Sequence, residues 1–125
     1  MRRLLAAVVA GVVFFALFVS LINRGAMLVW PAYGEAFPTN SFSSGMMILR
    51  LCMGAAALLG SGYLVAAISR VKHLAAIIAA GVLLLLGGTV HLNEPIWSSF
   101  PLWYHIAFIG SIVPAVLIGA RLRRA

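Results

Sequence analysis

Aspartate is absent from this sequence of 125 residues, glutamate occurs only as Glu35 and Glu94, and cysteine only as Cys52. Without aspartate no Ser–His–Asp set can be assembled, and a lone thiol in an apolar stretch is a poor nucleophile for a Cys–His set. A single cysteine also excludes an intramolecular disulfide, so Cys52 is expected to be a small buried packing residue. Charge of either sign is scarce, at 9% of residues, while 64% are hydrophobic. A soluble domain carries about 25% charged residues, so lipid is the expected solvent for a chain whose mean hydropathy is +1.12. No alternating strand pattern occurs, and therefore no glycine-rich phosphate loop follows a strand. The chain is not expected to be an enzyme, and no cofactor is implied.

What the sequence does contain is four apolar runs, at about residues 4–22, 46–68, 74–90 and 102–120. Each approaches the roughly 20 residues needed to cross a bilayer as a helix. Little chain remains for a water-soluble part. The expected fold is all-α, one four-transmembrane-helix bundle in antiparallel up-down order, occupying residues 1–125 as a single integral membrane domain.

Basic residues resist translocation and stay cytoplasmic. Arg2 and Arg3 precede the first run, Arg70 and Lys72 sit between the second and third, and Arg121, Arg123 and Arg124 follow the fourth. Seven of the nine basic residues thus fall on one side, leaving Arg24 and Arg50, with both acids, toward the other. Cytoplasmic N- and C-termini in a bacterial inner membrane are the expected topology. The net charge of +7 is then a topology signal, with attraction to anionic headgroups as its by-product. Nucleic acid is not an expected partner, because the positive charge is scattered over short flanking segments. Met1 to Ser20 also resembles a secretory signal, with two arginines before an apolar core. The length of that core and the lack of a small-x-small site favour a retained anchor.

The segments between the runs are unequal. Residues 69–73 form a short turn that forces a hairpin, whereas residues 23–45 and 91–101 form longer outer connections. The first of these is rich in turn formers, yet Met27, Leu28, Val29, Trp30, Tyr33 and Phe37 are too apolar for a free linker. Trp30, Tyr33, Trp97, Trp103 and Tyr104 are expected as an interfacial aromatic belt. Pro101 suits the first turn of a helix, and Pro114 should free the Gly110 carbonyl and bend the last run.

Helices in lipid associate through small residues that let backbones approach. Ala107, Ser111, Ala115 and Gly119 form a ridge at steps of four, and Cys52, Ala56 and Gly60 another, with Ala57 and Ser61 on the adjoining row. Ala76, Ala80 and Gly88, with Ala7 and Gly11, complete the expected packing set.

The stretches LLGSGYLVAAIS, HLAAIIAAGVLLLLGG and FPLWYHIAFIGSIVPAVLIGARL resemble a group of small four-span bacterial membrane proteins. The likeness rests on Pro101–Leu102–Trp103, on Pro114 and on Gly119–Ala120–Arg121–Leu122. It implies a four-helix bacterial membrane protein and carries no activity with it. Members of that group often place a histidine before the proline-containing loop, where this chain has Asn23, Arg24 and Gly25.

One polar cluster stands out. Arg50 lies about one helical turn into the second run, roughly 6 Å from its end at 1.5 Å per residue, and an ionisable residue at that depth is a functional candidate. Glu94 and Glu35 are its expected partners, and His91 and His105 are expected on the same side of the membrane. An Arg–Glu pair would fix helix register. The same residues invite sharper readings: a metal on His91, Glu94 and His105, a haem between the histidines, or a quinone- or lipid-type amphiphile against Arg50. None of these outweighs the structural reading, so metal ligands are not assigned. Proton-coupled drug export, as in small four-span antiporters, requires a carboxylate in mid-membrane, and both acids here lie in connections. The expected function is that of a structural or accessory subunit acting through helix–helix contact, with lipid, another membrane protein or a second copy as partner. The alternative is a binding protein for a small amphipathic ligand or a metal at the outer cluster.

Overall fold

The computed structural model describes residues 1–123, so Arg124 lies outside the described residues. Every regular element among them is helical: α1 (Arg2–Val29), α2 (Pro31–Ala36), a 3-10 turn (Phe37–Thr39), α3 (Ser44–Ile68), α4 (Lys72–His91), α5 (Ile96–Ser99) and α6 (Leu102–Leu122). Four of these, α1, α3, α4 and α6, are long and apolar enough to cross a membrane.

Helix α1 continues seven residues past the expected end at Ile22, through Asn23, Arg24 and Gly25 to Val29. It stops because Pro31 disfavours helical geometry at the residue before it; Trp30 is extended at φ −123°, ψ 92°, and Pro31 opens α2. Segment 23–45 is therefore mostly helix and not loop. Gly34 of α2 packs back on Met27 of α1, where an added Cβ would stand 3.3 Å from the Met27 carbonyl oxygen. Asn40, at φ 53°, takes the left-handed conformation that asparagine tolerates and turns the chain toward α3. Ser43 then caps α3, its hydroxyl accepting from the Met46 amide at 3.3 Å. Ser69 shapes the short turn to α4, accepting from the Val71 amide at 3.1 Å.

The bundle is assembled where small residues remove bulk. An added Cβ on Gly62 would collide with the Val116 carbonyl, and one on Gly119 with the Leu59 carbonyl, so α3 and α6 meet backbone to backbone. Gly11 of α1 lies against Val65 and Ser61 of α3, and the Ser61 hydroxyl donates to the Gly11 carbonyl at 2.8 Å. Gly60 receives the Phe14 ring. On α4, Ala75, Ala76, Ala79 and Ala80 are buried.

The expected ridge on α6 holds only in part. Ala115 and Gly119 are buried, Ser111 is half-buried and Ala107 is exposed. Three steps of four residues drift about 40° each time around a helix of 3.6 residues per turn, so the upper end of that ridge rotates out. Tyr104, His105, Ile112 and Val116 take its place in the interior. Ala56 and Cys52 are likewise exposed on α3, while Ala57 and Ser61 are buried. Cys52 is thus a surface thiol and not a packing residue.

Candidate functional site

Arg50 organises one end of the bundle, the end carrying the longer connections. Its Nε donates to the Tyr104 hydroxyl at 3.2 Å, and its Nη1 donates to the Tyr33 hydroxyl at 3.0 Å and to Asn23 Oδ1 at 3.4 Å. Tyr33 in turn donates to Asn23 Oδ1, and Asn23 Nδ2 donates to the Val19 carbonyl at 2.8 Å. Four elements, α1, α2, α3 and α6, thereby converge on one guanidinium. Aromatic rings enclose its far side: Cζ stands 4.6 Å from the Phe42 centroid, 5.6 Å from Phe100 and 5.7 Å from Phe37. Cation–π attraction of this kind strengthens as water is removed.

Neither acid belongs to this network. Glu94 is exposed and accepts from the Ser98 hydroxyl, and Glu35 is exposed on α2. Arg50 bonds only neutral oxygens among the described residues. The expected Arg–Glu pair is therefore replaced by an uncompensated cation, because Pro95 ends the helical register that would carry Glu94 inward.

The aromatic residues divide in two. Trp30, Trp97 and Trp103 are exposed, whereas Tyr33 is fully buried and Tyr104 is 3% exposed. The two tyrosines serve Arg50. Phe42 and Phe100 join them in an apolar cap with Met46, Met47 and Met53.

The two histidines form a pair. His91 Nδ1 and His105 Nδ1 are 2.9 Å apart, and His105 Nε2 lies 3.1 Å from the Trp97 carbonyl oxygen. His91 stacks on Phe108 at 4.5 Å and His105 on Trp97 at 5.0 Å. Glu94 does not approach them, and no group of three His, Cys, Asp or Glu residues stands at metal-holding distance among the described residues.

Beneath this polar end lies a cavity of about 300 Å³. Its walls are apolar, from Val12, Phe15 and Val19 on α1 to Leu58 on α3 and Leu83 on α4. Asn23, Arg50, His91 and Tyr104 close it at one end. Ala16, Leu86 and Val90 also line it and are exposed, so its mouth opens between α1 and α4 on the apolar flank of the bundle. The inventory of its polar groups is specific. No buried side-chain nitrogen or oxygen lacks a partner among the described residues, so Arg50 Nη2 and His91 Nε2, which bond no protein atom, lie on accessible surface. The Tyr104 hydroxyl accepts from Arg50 and keeps its own proton to donate.

Asn23 and Phe42 were not candidates on sequence grounds. Asn23 had a signal: Val12, Ala16, Val19 and Asn23 recur at helical spacing, so α1 extended past Ile22 puts Asn23 on the cavity face. Phe42 had none, because its approach to Arg50 depends on the turn at Asn40. Comparison with protein-family models, curated proteins and solved structures finds no match for this chain.

Proposed function

We propose that this chain is a multi-pass protein of a bacterial inner membrane that holds a small amphipathic molecule, of quinone or lipid type, in the cavity between α1 and α4. The observation that carries this reading is Arg50, a cation without a carboxylate partner at the polar end of an apolar, side-opening cavity. A purely structural arginine is served by its bonds to Tyr33, Tyr104 and Asn23. Those bonds do not account for the space left beneath it or for the unbonded Nη2. Ligand sites of this size are typically apolar with a few convergent polar groups, and an opening on the lipid-facing flank admits a molecule already dissolved in the bilayer. The role of accessory subunit is compatible with such a site.

An up-down antiparallel order with cytoplasmic N- and C-termini fits this reading. Arg2, Arg3 and Arg70 border one groove, and Lys72, Arg121 and Arg123 another, which gathers the basic residues of three separate segments as the positive-inside rule requires. Contacts of Gly11 with Val65 and of Asn23 with Arg50 run in opposite senses along α1 and α3. The polar network then lies at the outer face.

A diazirine-bearing fatty acid, equilibrated with the protein in its membrane and photolysed, tests the cavity. Labelling concentrated on Val12–Val19 and Leu83–Val90, and competed away by unlabelled amphiphile, is the expected result. Labels spread evenly over lipid-facing residues such as Val9, Ile77 and Ile118, without competition, would remove the proposal.

A further inference from the structure

The histidine pair assigns a chemical preference to the cavity; the inference rests on the ligand reading above. A carbonyl oxygen can only accept, so the 3.1 Å contact with the Trp97 carbonyl requires a proton on His105 Nε2. With both rings neutral, His105 Nδ1 is then a bare acceptor. The 2.9 Å contact between the two Nδ1 atoms must be filled by a proton from His91. That leaves His91 Nε2 as a lone pair with no donor among the described residues, on a ring that lines the cavity. Its ring plane is fixed, being stacked on Phe108 at 15°.

We propose that His91 Nε2 selects, within this cavity, for a ligand whose headgroup carries a hydroxyl donor, such as a phenol or quinol. Arg50 Nη2 and the Tyr104 hydroxyl offer donors to the same headgroup, so a hydroxyl that both donates and accepts satisfies both sides. An ether or ketone at that position leaves His91 unpaired, and a buried acceptor without a donor is costly. His105 acts as a positioning residue, through its Trp97 contact, by fixing which nitrogen of His91 is bare.

Two measurements on the whole protein in mild detergent test this. In nitrogen-labelled histidine NMR of the wild type, His91 should appear as the Nδ1–H tautomer and His105 as Nε2–H; a His91 ring protonated at Nε2 overturns the inference. In calorimetric titration, para-heptylphenol should bind about tenfold or more tightly than its methyl ether, one hydrogen bond's worth, and His91→Phe should erase the difference. Equal affinities in the wild type overturn the hydroxyl preference and leave the cavity standing. Failure of both probes to bind overturns the cavity reading itself. Should His91→Phe fail to fold, the wild-type tautomer and the wild-type affinity ratio still decide.

Discussion

Arg50 is held by oxygens and rings and not by an acid, and that choice has consequences residue by residue. A charged side chain inside a membrane span costs roughly 2.5–3.5 kcal/mol on insertion scales, and neutral partners lower that cost while leaving the charge available. Tyr33→Phe removes one acceptor for half-buried Arg50 and the donor to buried Asn23. A loss of about 1–3 kcal/mol is expected, read as a lower Tm in detergent; an unchanged Tm would mean that the network does not hold the cap. Arg50→Met removes the cation while keeping an apolar stem, and it should abolish capture of the photoreactive fatty acid. The importance of Arg50 was legible in the sequence, because an arginine inside an apolar run is conspicuous. Its partners were not. The two glutamates were the only acids available, yet complementarity of charge says nothing about whether the backbone near Pro95 can deliver one of them.

Among the helices, glycine decides which faces approach. Gly62→Val would drive a side chain into the Val116 carbonyl and push α6 from α3, and overpacking of this kind costs about 1–3 kcal/mol or more. Folded yield and Tm should both fall. Gly81→Ala meets nothing within 4 Å and serves as the contrast, with Tm expected to hold or rise slightly. Comparable losses from both substitutions would contradict the backbone contact between α3 and α6. The number and type of the long helices could be read directly, since hydropathy over about 20 residues needs no tertiary information. Their facing surfaces could not be read as well. Nearly every position is apolar, so the contrast that marks a buried face in a soluble helix is missing. The end of α1 was misplaced for a related reason: Asn23 and Arg24 read as a span boundary, whereas helix and membrane need not stop together.

For the molecule as a whole, topology and cavity can be tested separately. In a Cys52→Ser background, Ser41→Cys and Ser98→Cys should react with a membrane-impermeant maleimide in intact cells, and Val71→Cys only after lysis. The reverse pattern would invert the bundle and place the Arg50 network on the cytoplasmic face. The space beneath Arg50 is expected to be occupied in the native membrane. Native mass spectrometry of the protein, taken from its own membrane in mild detergent, tests it directly beside Ala16→Trp, which plugs the mouth of the cavity. The wild type should carry an adduct of defined mass that Ala16→Trp lacks while remaining folded. A bare wild-type chain, or an adduct that persists in Ala16→Trp, would contradict the assignment of a ligand to this cavity.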